Sequence, residues 1–281
     1  MTHTLQSDGA VITYDVRQAE SSEPPLMLVG SPMDASGFVS LADRFKDRTV
    51  VTYDPRGTAR SKKDDPTTES TPDQHAEDLR LVIDAVGGQV DLFASSGGAV
   101  NALALVARHP EKVRTLVAHE PPAAQVLQDR EGALAATTAI REMYLRDGLG
   151  PAMARFILLV QHKGDIPADF ADQQVDPAMF GLPTEDDGSR DDVLLGQNLI
   201  TCTHYQHDFD ALRAASTRIV IAVGAESDGE MACRGGLGVA ERLGLTPATY
   251  PSGHAGFLGG EFGQTGDPDG FAAALRASLD G

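Results

Sequence analysis

The sequence predicts an α/β fold: a doubly wound, mostly parallel sheet with an inserted helical lid. Three observations lead there. Short β-branched and apolar runs alternate with longer helical patterns, and a β-α-β-α order of this kind winds into an α/β sheet. Most of the runs are nearly continuous rather than alternating, as strands covered on both faces require. The rhythm then stops for nearly a hundred residues between Glu120 and Ser216, and it resumes at Ile219.

The expected strands are Val11 to Val16, Leu26 to Val29, Thr49 to Tyr53, Val90 to Phe93, Thr115 to Ala118, Ile219 to Val223 and Ala248 to Tyr250. Between them, Thr71 can cap a helix with Pro72 at its first position and Gln74 closing a capping box. Leu79, Val82, Ile83 and Val86 share one face of that helix, and Gly87 and Gly88 end it. A second helix runs from Gly97 to Arg108 and closes at His109-Pro110. In the interrupted region Ala123 to Leu145, Pro151 to Gln161 and Asp191 to Leu212 are expected to be helices. The predicted organisation is a core of residues 1–120 and 217–281 with a lid of residues 121–216 over the sheet's carboxyl edge. Helices near Met231 to Leu243 and Phe271 to Leu279 complete the core, and Asp267-Pro268-Asp269-Gly270 reads as the turn before the last one.

Composition narrows the function. A chain of 281 residues with 41% hydrophobic content can bury a core without metal or disulfide staples. With 23 basic against 41 acidic residues, the formal charge of −18 argues against nucleic acid or an anionic membrane as partner. Cys202 and Cys233 have no metal-like spacing and fit free thiols in a reducing cytosol. Met1 to Ala10 lacks an apolar signal region, and no apolar run is long enough for a membrane span. A cytoplasmic protein acting on a small molecule is expected, and the oligomeric state is left open.

The chemistry gathers at strand ends. Val90 to Ala99 runs as a strand into a small-residue turn and then a helix, the setting of a nucleophile elbow in which Ser96 takes the central position. Ser95 in that role would put the bulky Phe93 where a small residue is needed. The Gly97 N–H, at the helix start, is free to stabilise an oxyanion. His254 lies in the glycine-flanked loop Pro251 to Phe257 after the last predicted strand, where an imidazole can reach the serine as general base. His204 and His207 have the i, i+3 spacing of a helical metal pair, but no further ligand pattern accompanies them, so no metal and no cofactor are expected.

Together these residues resemble the α/β-hydrolase superfamily in its serine-nucleophile branch. Tyr53 to Ser61 is similar to the family's D-x-R-G-x-G-x-S loop, with Ala59 in place of a glycine, and Leu28 to Pro32 is similar to its H-G-x-P turn, with Val29 in place of the histidine. The resemblance implies Ser31 N–H as the second oxyanion donor beside Gly97 N–H. It also implies a triad acid, for which three residues stand open. Glu120 in His119-Glu120-Pro121-Pro122 is preferred because that segment resembles the zearalenone-type lactonases; Asp228 and then Glu226 are the alternatives, since most of the family takes its acid after the next strand. The implied enzyme is a cofactor-free hydrolase of small carboxylic esters or lactones that works through an acyl-enzyme. Carbon–carbon bond hydrolysis, perhydrolysis or cofactor-free oxygenation on the same residues is the alternative, followed by a ligand-binding protein without turnover. Met33, Ser95, His204 and Tyr205 are the candidate substrate contacts.

Overall fold

The structure is a computed structural model that describes residues 1–281. Nine strands form one sheet: β1 (Thr2–Ser7), β2 (Ala10–Arg17), β3 (Leu26–Val29), β4 (Val50–Tyr53), β5 (Lys62–Lys63), β6 (Val90–Ser95), β7 (Val113–His119), β8 (Arg218–Gly224) and β9 (Ala248–Tyr250). Their order is β1-β2-β4-β3-β6-β7-β8-β9, with β5 paired to β2. From β4 through β9 every pairing is parallel, and β1 and β2 form an antiparallel edge. The β1 strand lies outside the predicted set because its side chains face solvent and show no apolar run. Its sequence signal is the Asp8-Gly9 turn, where Gly9 takes a φ of +67° and folds β1 back onto β2.

Alternate residues of each central strand enter opposite layers. Met27 and Val29 pack with α2 (Pro72–Ala85), α3 (Gly97–Arg108) and α8 (Met231–Leu243), whereas Leu26 and Leu28 pack with α1 (Val39–Ala42) and α9 (Pro268–Asp280). Burial on both faces explains the continuous apolar runs. Helix α2 begins as expected: Thr71 Oγ1 accepts from Gln74 N while the Gln74 side chain accepts from Thr71 N. Helix α9 begins inside the expected turn, with Asp267 accepting from Gly270 N.

Between β7 and β8 lie α4 (Arg130–Asp147), α5 (Leu149–Gln161), α6 (Leu199–Thr203) and α7 (Phe209–Ala214); the first three share an apolar cluster that α8 joins through Met231, whereas α7 packs Leu212 into the core on the α2, α3 and α8 side of the sheet. Two helix expectations are corrected here. Residues 123–129 are not α-helical: they cross α8 at its small-residue face, where a Cβ on Gly235 would meet Pro121 O at 2.4 Å and one on Gly238 would meet Val126 Cγ2 at 2.7 Å. Residues 191–212 do not form one helix either, but a π-helical turn (Val193–Asn198), then α6, then a break before α7. Asp192 and Asp208 cause the divisions by accepting from Leu195 N and Ala211 N, which are cap bonds and not helix-interior ones. His204 and His207 therefore do not share a helix face. No helix is long and apolar enough to cross a membrane.

At the amino end of β6 the fully buried Asp91 receives Arg48 Nη2 at 2.7 Å and Arg114 Nε at 2.9 Å. Removing the carboxylate leaves Arg48 almost wholly buried and unpaired. Asp91→Ala is expected to lower the unfolding free energy in urea by about 3 kcal/mol, and a loss below about 1 kcal/mol would show the pair to be replaceable by water.

Candidate active site

Strand β6 ends at Ser95, and the next residue turns the chain into α3. Ser96 holds φ 58°, ψ −129°, a conformation that L-residues rarely adopt and that presents its side chain above the sheet edge. Close approach of two backbones holds the turn. A Cβ on Gly98 would lie 2.8 Å from Val29 O and 2.9 Å from Gly30 Cα, and one on Gly97 would lie 2.6 Å from Ser31 O. Small residues here let the β3 turn press against the start of α3. The Ser31 and Gly97 N–H groups are both left without an acceptor in the chain and stand beside the Ser96 turn.

The candidate base and the candidate acid come from two further strand ends. His254 follows β9, and Ser252, two residues earlier, holds φ 65°. Glu120 follows β7 with φ 47°, and its N–H donates to Ala222 O of β8 at 3.0 Å. The Glu120 carboxylate is fully buried. Its Oε1 accepts from Gly224 N at 2.8 Å, and its Oε2 accepts from His254 Nδ1 at 2.5 Å. Burial alone would push this carboxyl up, but the hydrogen bond from His254, the neighbouring imidazoles and the Gly224 N–H outweigh it and bring the pKa down to about 2. An ionised carboxylate only accepts, so His254 carries its proton on Nδ1 and leaves Nε2 as the acceptor nitrogen.

The alternative acids lie elsewhere. Glu226 and Asp228 are solvent-exposed, and neither side chain bonds to His254. The position between them, where the family's commonest spacing would put an aspartate, is the buried Ser227, whose Oγ has no partner. Three of the four candidate substrate contacts are committed within the protein. Ser95 Oγ is 3.1 Å from His119 Nδ1, His204 Nε2 is 2.9 Å from Thr137 Oγ1, and Tyr205 donates to Asp73 at 2.6 Å. Met33 folds back over the oxyanion turn, between Gly30 and Gly37. Missing from the sequence reading are His119 and the Gly224 N–H. The glycine, closing a strand directly before the acid-bearing loop, was the available signal for the latter.

His119, Glu120 and His254 also bring ligand-type atoms within 4.8 Å of one another. Protein N–H groups already occupy both Glu120 oxygens, so the cluster is bonded internally. Two surface concavities, of about 450 Å³ around Tyr14 and Thr49 and about 680 Å³ around Asp129 and Arg242, lie away from these residues.

The sequence profile of the alpha/beta hydrolase fold matches residues 4–191. The chain belongs to this family. Among its sequence relatives, an uncharacterized hydrolase, YraK of Bacillus subtilis (strain 168), is 29% identical over 261 residues, covering 90% of this chain and 89% of the relative. Among solved structures, the enol-lactonase of Burkholderia xenovorans LB400 superposes with TM-score 0.66 at 16% identity, covering 99% of this chain and all of its own. A thermophilic esterase of Thermogutta terrifontis superposes with TM-score 0.65 at 17% identity, covering 96% and 94%. At these identities the structures establish a shared alpha/beta hydrolase fold.

Two outcomes follow for Glu120. Glu120→Gln is expected to lower kcat by about a thousandfold, because the amide no longer enforces the Nδ1–H tautomer, while Asp228→Asn stays within about threefold; steady-state kinetics on an aryl ester would reverse this order if the later loop supplied the acid. Because the folded pKa lies below the ordinary 4.5, the carboxylate adds stability above pH 4.5 that is lost as pH falls toward 2. Urea unfolding across that window should therefore show a steeper loss for the wild type than for Glu120→Gln.

Proposed function

We propose that this hydrolase cleaves small carboxylic esters or lactones with Ser96 as nucleophile, His254 as general base and Glu120 as the acid that orients it. The hydrogen bond from His254 Nδ1 to the buried Glu120, at the sheet edge that also carries Ser96, is the observation that carries this assignment. Ser96 Oγ attacks the carbonyl carbon as its proton passes to His254 Nε2. The imidazolium formed is offset by Glu120, which stays ionised down to about pH 2. The tetrahedral oxyanion takes the Ser31 and Gly97 N–H groups, each such donor being worth about 3 kcal/mol in related chemistry. Collapse expels the alcohol with the His254 proton, and a water deprotonated by His254 then cleaves the acyl-Ser96 ester.

Residues 121–216 serve as the lid in this proposal. Its α6 docks on the elbow, with Cys202 Sγ 3.2 Å from the Cβ position of Gly97, and Asn198 Oδ1 lies 2.8 Å from His75 Nε2 of α2. A serine at the elbow favours acyl transfer over alkyl transfer to a carboxylate. The His119-Glu120-Pro121-Pro122 resemblance makes lactones the first substrates to set against linear esters. Buried, unpaired Cys202 and Cys233 support a reducing cytosol as its compartment.

Purified protein is expected to hydrolyse a short-chain 4-nitrophenyl ester and to be labelled by a serine-directed phosphonate, and Ser96→Ala should lose both. Wild-type protein that does neither would remove the ester and lactone assignment.

A further inference from the structure

His119 is a polar ring in an aromatic cage. It is fully buried, with Phe271 edge-on at 5.3 Å and 85°, Phe257 edge-on at 6.3 Å and 86°, and Phe93 and Tyr250 tilted at 6.0 and 6.3 Å. Its Nε2 has no partner, and burial pushes its pKa down to about 3, so the ring stays neutral. Nδ1 of this buried ring is bonded and Nε2 is not, so the role of the ring lies in what it packs against.

The His119 imidazole lies nearly parallel to that of His254, at 5.8 Å and 25° between ring planes. Its Nδ1 is 3.1 Å from Ser95 Oγ, and its carbonyl accepts from Ser96 N at 2.9 Å. One residue thus touches the base, neighbours the acid and holds the backbone of the nucleophile. His254 is anchored through its Cβ and by one hydrogen bond at Nδ1, and its side chain is 37% exposed, so the tilt of its ring depends on what packs against its buried face. Tilting the ring displaces Nε2, the nitrogen to which the proposed mechanism passes the Ser96 proton. A flat, neutral, immobile ring against one face of His254 restricts the tilt, and it also places a π-face beside the imidazolium formed during turnover.

We infer that His119 is a positioning residue, whose caged ring sets the plane of His254 while its Nδ1 and carbonyl hold the Ser95-Ser96 turn. This rests on the Ser96-His254-Glu120 assignment. The ring face is the decisive part, and the bond to Ser95 is secondary.

The test compares His119→Leu, which fills the apolar cage without a planar face, with His119→Phe, which restores the face but not the polar atoms. For a 4-nitrophenyl ester, His119→Leu should lower kcat about thirtyfold with KM within about twofold, the scale expected when a reacting group is misplaced without loss of binding. His119→Phe should stay within about threefold of wild type. A readout independent of turnover is the 13C order parameter of the His254 Cε1–H bond, which should fall in the Leu variant and hold in the Phe variant. Equal kcat in the Leu and Phe variants, or an unchanged His254 order parameter in the Leu variant, would overturn the inference. If wild type turns over no ester, the functional assignment fails, and the order parameters still decide whether His119 holds the ring. Should the Leu variant not fold, a more than hundredfold loss of kcat in a folded Phe variant would overturn the role of the face, and retained kcat with a wild-type order parameter would support it.

Discussion

The Glu120 carboxylate, closed off from water at the end of β7, is the interaction on which the site's geometry depends. Its backbone N–H is tied to Ala222, one oxygen to Gly224 N–H and the other to His254, so one residue joins β7, β8 and the loop after β9. A buried carboxylate is tolerable only when donors replace the water it has lost. Here the donors are a backbone amide at a strand end and the base itself. Satisfying the charge and orienting the imidazole are the same act.

That position is reached at the expense of backbone strain. Ser96, Glu120 and Ser252 all hold positive φ, and they lie at, or two residues from, Ser96, Glu120 and His254. Such conformations persist where the surroundings over-determine them. At Ser96 the surroundings are the backbone contacts that Gly97 and Gly98 permit with the β3 turn. At Glu120 they include α8, whose Gly235 and Gly236 leave room for the chain that departs through Pro121. The glycines of α8 let an extended segment run across a helix.

The parallel sheet was legible in the sequence because burial on both faces turns each central strand into an unbroken apolar run. Ser96 and Glu120 were candidates because each closely follows such a run, and His254 because it lies in the loop after the last strand; Glu120 was preferred to Asp228 and Glu226 only because its segment resembles the zearalenone-type lactonases. Within residues 121–216 the same approach weakened. Helical periodicity around Asp191 to Leu212 does not reveal that Asp192 and Asp208 will act as caps, and a helix broken at residues 204–208 sends His204 to Thr137 and Tyr205 to Asp73. His119 escaped for a different reason: a histidine inside a strand run looks like any core residue until the fold brings His254 beside it.

The most direct test of the account is the proton between His254 Nδ1 and Glu120, seen as a strongly deshielded resonance in the proton NMR spectrum. The resonance should be present in the wild type and in Asp228→Asn and Glu226→Gln, and lost in Glu120→Gln and His254→Ala. Its survival in Glu120→Gln, or its loss on changing either residue of the later loop, would contradict the account.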